Sequence, residues 1–243
     1  MATATLALAE TRTDGIAAHM ERDIARDEHR YLKTPLVQLI SSGRLPKAAL
    51  KDYAIMRWSF QAHAEPKMML SHAAFLRGDD VQHLLENTYD EIMRPEDEGE
   101  HPGLWVRFAK NLGATEAELD EAARFPVAEV IGFSRTLTHY CRRSAAEGLA
   151  TWYADEAQLP ESHGATALAL RKFYGLDDAT IEYFLEHVRA DIEHSDASGG
   201  LLDSYVRTDA EIAQARRAGA VTLWAWREMH EGILRILRQK YDF

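Results

Sequence analysis

Residues 182–194 read Glu-Tyr-Phe-Leu-Glu-His-Val-Arg-Ala-Asp-Ile-Glu-His, which sets His187, Asp191 and His194 at positions i, i+4 and i+7. An α-helix turns about 100° per residue, so these three side chains fall within roughly 60° of one another on a single face. Two imidazoles and a carboxylate aimed at one point can hold a metal ion. Nitrogen and carboxylate oxygen suit iron, manganese or zinc, and the absence of thiolate partners argues against a structural zinc knuckle. A solvated helix face that carries two histidines by chance is the competing reading, so the weight falls on what the rest of the chain can add.

Working outward, helical periodicity recurs and strict alternation is missing, which predicts an all-α helical bundle. The 243 residues show no Pro/Gly/Ser linker or break in composition. One domain spanning residues 1–243 is expected, with residues 1–12 as a flexible tail. Acidic residues outnumber basic ones by 39 to 28, which sets nucleic acid aside as a partner. The single cysteine, Cys141, excludes an intrachain disulfide and fits a reducing compartment. The N-terminus lacks the basic leader of a signal peptide, and no run approaches a membrane span, so a cytoplasmic location is expected.

The pattern predicts a first helix from Thr13-Asp14 to about His29 and a short one over Pro35–Ser41. A longer helix from Pro46 should kink or restart at Pro66, and another opens at Asp79-Asp80. The acidic run bracketed by Pro95 and Pro102 reads as a non-helical corner with His101 where it meets the next helix. Thr115 and Glu118 form a capping-box pattern. Two long helices are expected over Val127 to about Glu147 and Leu149 to about Tyr174, the second bent near Pro160. The metal-motif helix should start at Asp177-Asp178 and relax over Ser195 to Gly200, and a last helix should run from Asp209 to Gln239.

Further ligands must come from other helices, because one helix presents only two or three inward groups at a given level. Glu65 lies among Trp58, Phe60, Met68 and Met69, and a core-facing acid is rare unless it is paired or bound to metal. Pointing outward beside Lys67 is its ordinary alternative. Glu156 sits one turn before Pro160, and only one of Asp155 and Glu156 can face the core. His101 precedes a proline in the acidic corner, and Glu91 lies ten residues before it. Four carboxylates, Glu65, Glu91, Glu156 and Asp191, would balance two divalent ions with the histidines neutral.

His187-x3-Asp191-x2-His194, preceded by Glu156 with Pro160 and by Glu65, Glu91 and His101-Pro102-x2-Trp105, resembles the haem-oxygenase-like di-iron oxidases and oxygenases. Their superfamily includes pyrroloquinoline-quinone synthase and the TenA-type thiaminases, and His101-Pro-Gly-Leu-Trp-Val-Arg-Phe108 is similar to their sequences. The resemblance implies a haem-oxygenase-like bundle holding two Fe(II) per chain, with O2 as co-substrate. It implies one iron on Glu65, His101 and a shared carboxylate, the other on His187, Asp191 and His194, and Glu156 bridging. Glu91 matches an additional ligand of some members and competes or shares with Glu65. The implied activity is oxidation of a small amino acid or carboxylic acid by N-oxygenation, desaturation or oxidative C–C cleavage. An external reductant and a homodimer are compatible with it.

Four other readings compete. Glu65, Glu98-x-x-His101, Glu156 and Asp191-x-x-His194 can be written as a ferritin-like pattern. The same fold could work without metal, as in the quinone synthase, or as a TenA-like hydrolase with Cys141 as nucleophile. A helical interaction protein with incidental histidines is the fourth. Arg135 or Arg142 is a candidate partner for a substrate carboxylate, and Trp58, Phe60, Tyr89 and Tyr153 are candidate walls of the pocket.

Overall fold

The computed structural model describes residues 15–26, 28–91 and 101–243, and among these every regular element is helical. The expected tail at residues 1–12 and the corner from Pro95, Glu98 included, lie outside the described residues. The elements are α1 (Ile16–Ile24), α2 (Pro35–Ser41), α3 (Lys47–Ser59), α4 (Glu65–Ala73), α5 (Asp79–Asp90), α6 (His101–Asn111) and α7 (Glu116–Arg124). They continue with α8 (Ala128–Cys141), α9 (Ala145–Glu156), α10 (Leu159–Tyr174), α11 (Glu182–Tyr205) and α12 (Asp209–Lys240). No helix among the described residues is long and apolar enough to cross a membrane.

The core forms around α9, whose residues Ala146 to Asp155 are all buried. A helix with no solvent face must be central, and α9 packs on α12, α11 and α8, while α10 lies along α11. One cluster of buried apolar side chains runs from Ile16 to Leu237. The Trp105 indole donates to the Ala54 carbonyl at 2.9 Å, pinning α6 to α3.

Local chemistry explains the boundaries. Thr115 and Glu118 form the expected capping box, and Thr208 with Glu211 forms a second one. Between Ser59 and Glu65 the chain makes a π-helical turn over Phe60–Ala64. It falls immediately before Pro66, which has no N–H to continue the ladder, so the expected kink takes the form of one widened turn.

Four boundaries differ from expectation. The first helix stops at Ile24 rather than near His29. The break expected after Glu147 lies at Arg142–Ser144, because the Ser144 hydroxyl accepts from the Glu147 N–H and caps α9. The bend near Pro160 falls at Ala157-Gln158, where the missing proline N–H is tolerated in the first turn of α10. The metal-motif helix begins at Glu182, not Asp177, and continues through Ser195–Gly200 to Tyr205. The Tyr153 ring packs on Gly199, so tertiary contact holds helical a stretch whose propensity is weak.

Gly148 permits the closest approach in the core. A Cβ built there would lie 2.1 Å from Nδ1 of His72, a fully buried ring on α4. Gly148→Ala should therefore destabilise by about 1–3 kcal/mol through overpacking, with Tm falling by about 2–4 °C per kcal/mol for a chain of this size. Thermal unfolding followed by circular dichroism checks this, and His72→Ala should relieve most of the loss.

Candidate metal centre

Three buried side chains from three places in the chain meet at one point. Glu91 at the end of α5, His101 at the start of α6 and His187 on α11 each offer a ligand atom, all within 4.8 Å of one another. His101 Nδ1 lies 2.5 Å from Glu91 Oε1. The His101 and His187 rings are 4.1 Å apart, centroid to centroid. His187 Nδ1 is 2.7 Å from the Tyr183 carbonyl, and a carbonyl only accepts. That nitrogen therefore carries the proton, and the Nε2 lone pair is left for a metal.

Asp191, one turn beyond His187, is buried, and its nearest carboxylate influence is Glu156. Glu65 is partly buried and takes a long, 3.5 Å contact from the Gln61 amide. Glu91, Asp155 and Asp191 all act on its charge. Six of the seven expected ligands are thus gathered in one region, with Glu91 rather than Glu65 in the tight group. The seventh, His194, lies on α11, with its side chain outside the described ones. Of the neighbouring acids, Asp155 is the one that faces the core, accepting from the Trp226 indole, while Glu156 sits at its edge.

Several neighbours were not singled out from the sequence. His163 on α10 has no exposed surface, lies 3.9 Å from Asp191 Oδ2 and stacks edge-on to His187 at 5.2 Å. Neither of its ring nitrogens has a hydrogen-bond partner among the described residues. Its signal was its seven-residue separation from Glu156, the same spacing that links His187 and His194. Arg57, buried to 1 % exposure, lies between the Trp105 and Trp226 rings at 4.9 Å from each. It is the one cation that acts on Glu65, Asp155 and Asp191 together.

The aromatic wall also differs from expectation. Tyr183 lies 4.0 Å from His187 and 4.8 Å from Trp105, and Phe184 packs 5.4 Å from His163. Tyr89 is 54 % exposed. Phe60 packs instead on Phe133, and Trp58 and Tyr153 are core residues. Cys141 is fully buried, and burial, then Asp155, drives its thiol far above the usual range, so it is not poised as a nucleophile.

Burial dominates the electrostatics. Burial, then Glu91, Asp155 and Asp191, pushes the Glu65 carboxyl well above the ordinary range. Burial, then Glu156, Glu91 and Asp155, does the same to Asp191. Burial raises Asp155 to about 7 against the pull of Trp226 and Arg57. Burial also holds His187 and His163 well below 6.5, helped by His101 and His163 for the first and by Arg57 and His101 for the second. Acids crowded so that they resist ionising, next to imidazoles that stay neutral, fit a divalent cation, which would reverse the first effect and use the lone pairs left by the second. Glu91 Oε2, buried and without a hydrogen-bond partner among the described residues, is a further open donor.

Comparison with known proteins agrees with this chemistry. A family model described as iron-containing redox enzyme matches residues 51–227. The chain belongs to this family of iron-containing redox enzymes. A relative from Nitrosomonas europaea named 4-aminobenzoate synthase is 31 % identical over 216 residues, covering 82 % of this chain and 85 % of the relative. The fold matches a TenA homologue from Pseudomonas syringae pv. tomato, at 16 % identity and TM-score 0.76, covering 91 % of this chain and 93 % of that one. It also matches a haem-oxygenase-like domain from Shewanella denitrificans, at 13 % identity and TM-score 0.72, covering 96 % and 98 %. The fold of this iron-containing redox enzyme is thus haem-oxygenase-like.

The sign of the pKa shifts gives a pH signature for the metal-free enzyme. A carboxyl raised in the folded state adds stability at low pH that is lost as pH rises through its folded value. With Asp155 at about 7 and Glu65 and Asp191 also raised, metal-free protein should become more stable as pH falls from about 8 to about 6.5. Below 6.5, the ordinary histidine value, four buried and depressed histidines, His72, His163, His187 and His230, outweigh the three carboxyls, because stability from a lowered pKa disappears as pH falls. Tm against pH in chelator should therefore pass through a maximum that anaerobic Fe(II) loading flattens. A chelated protein whose Tm does not rise between pH 8 and 6.5 contradicts this account.

Proposed function

We propose that this iron-containing redox enzyme is an O2-dependent oxidase or oxygenase with two Fe(II) per chain, and that its reaction yields 4-aminobenzoate. The observation that carries the reading is the burial of Glu91, His101 and His187 at one point, with Asp191, Glu156 and Glu65 around them, in a chain belonging to this family. Glu65, Glu91, His101, Glu156, His187, Asp191 and His194 are the residues that would hold the metal. The product class comes from the name carried by the Nitrosomonas europaea relative, and it agrees with a small amino or carboxylic acid as substrate.

When bound, ferrous iron supplies the electron chemistry with O2 that no side chain can perform. The remaining tasks fall to the protein. The Tyr183 carbonyl fixes the tautomer and direction of His187. Glu91 orients His101 by the contact at 2.5 Å. Tyr183, Trp105, Phe184 and Phe108 form an edge-to-face stack beside the imidazoles that keeps bulk water out and sharpens every charge interaction inside. Arg57, fixed between two indoles, offsets part of the carboxylate charge without offering a metal ligand.

The reading is tested by anaerobic Fe(II) loading, metal analysis, and admission of O2 in the presence of an external reductant and a panel of amino and carboxylic acids as substrates, with product detection by mass spectrometry. The parent should retain about two iron ions per chain and consume O2, with 4-aminobenzoate among the products. His187→Ala and Glu91→Gln should each lose most of the iron, and His194→Ala should abolish turnover while leaving helicity largely intact. A folded parent that retains no iron would remove the two-metal reading. Stoichiometric iron without 4-aminobenzoate would remove the product assignment alone.

A further inference from the structure

Along α4 and α8, the surface opens into a groove of about 950 Å³. Its walls include none of the candidate metal ligands. Lys67, Arg124, Arg135, Arg142 and Arg143 line it, five cations in a chain whose formal net charge is −11. Arg143 is paired with Glu147. The other four have no ion-pair partner among the described residues. Ile131, Arg135, Thr138 and Arg142 recur at helical spacing along α8 and its C-cap, which sets Arg135 and Arg142 on one side, while Lys67, Arg124 and Arg143 join the lining from other segments. Arg135 or Arg142 is a sequence candidate for a substrate carboxylate partner, with an exposed surface position as its alternative; both are exposed and lie in this groove.

Between the cations the lining is mixed, with Ala64, Pro126, Val130 and Ile131 as its apolar part and Ser59, Ser71, Ser134 and Thr138 as its hydroxyls. Phe125 lies between two lining residues, Arg124 and Pro126, and is 76 % exposed, the most exposed large apolar side chain among those described. A second depression of about 350 Å³ shares His139 and Arg143 with the groove and adds Arg217. The basic lining therefore continues onto α12.

Like charges held together without acidic partners repel one another, and a bound polyanion relieves this while the groove walls focus their field. Guanidinium groups bind phosphate by paired hydrogen bonds. The volume falls within the span of small-molecule pockets, about 300–1,000 Å³. A single carboxylate would satisfy one arginine and leave the rest. The apolar strip and the exposed Phe125 suit a flat ring stacked beside the charged end.

We propose that this groove is a binding site for a phosphorylated aromatic ligand of the nucleoside-diphosphate class, separate from the metal centre. Phosphates lie against Arg135, Arg142 and Lys67, and the ring lies on the apolar strip beside Phe125. The site does not depend on the reaction assigned to the iron.

Isothermal titration of the iron-loaded, full-length protein with ADP, inorganic pyrophosphate and adenosine tests it at low ionic strength without added magnesium. ADP should bind at one per chain and more tightly than either fragment, weakening as salt is raised. Arg135→Glu combined with Arg142→Glu, both at exposed positions, should weaken ADP and pyrophosphate at least about tenfold, a change worth about 1.4 kcal/mol, with iron content unchanged. Phe125→Ala should weaken ADP while leaving pyrophosphate unaffected. Equal ADP affinity in the parent and the double variant overturns the proposal. So does a parent that ignores ADP but forms a dimer which the double variant abolishes, since the groove would then belong to a second copy of the chain.

Discussion

Taking charge out of water governs this structure. Glu65, Glu91, Asp155 and Asp191 act on one another inside a helical bundle, with Glu156 at their edge. Without compensation Glu65, Asp155 and Asp191 resist ionising, as their raised carboxyls show. A chain that keeps such a group must supply a counter-charge at that depth. Arg57 is one, and a single guanidinium is fewer than the acids around it. His163 and His187 add none, since burial keeps both neutral. The missing positive charge is what divalent ions bring, so the energetics of the fold and the chemistry of the site make the same demand.

The same demand accounts for features that look like defects in regular packing. The π-helical turn over Phe60–Ala64 lies directly before Glu65, in the helical run that also carries Arg57 and Gln61. The Gln61 amide reaches both Tyr183, at 3.0 Å, and Glu65, tying this run to the helix that carries His187. Gly148 lets the His72 ring of α4 lie against the backbone of α9, the helix that also carries Asp155. A regular helix or an ordinary side chain at these places would hold these segments apart.

Much of this was legible in the residues. The spacing of His187, Asp191 and His194 requires a helix, and Tyr183, Phe184 and Ala190 are buried with His187 and Asp191 on that same inward face. The metal-ligand pattern also named Glu91, His101 and Glu156, which three-dimensional proximity supports for the first two most tightly. Helix ends set by a capping side chain, at Thr115, could be read directly. Ends set by tertiary contact could not, as at Ser195–Gly200, where Tyr153 on a distant helix keeps weak formers helical. Arg57 escaped for a related reason. Nothing local distinguishes a buried arginine from a surface one; the two indoles that enclose it lie 48 and 169 residues away. Arg135 and Arg142 show the converse limit, since helical spacing fixes which residues share a face but not what that face meets.

The arrangement also separates two kinds of electrostatics by depth. In the interior, low dielectric makes each interaction strong and each imbalance costly, so Asp155, His187 and His101 are placed individually by hydrogen bonds to Trp226, Tyr183 and Glu91. On the α4–α8 face, water screens the cations, so they can be gathered in one groove with no acid assigned to each. An acidic chain has abundant carboxylates with which to neutralise that groove, yet only Glu147 among those described does so. The buried acids lack enough cations and the exposed cations lack enough acids. None of the candidate metal ligands lines the groove, so the fold keeps the two sets apart.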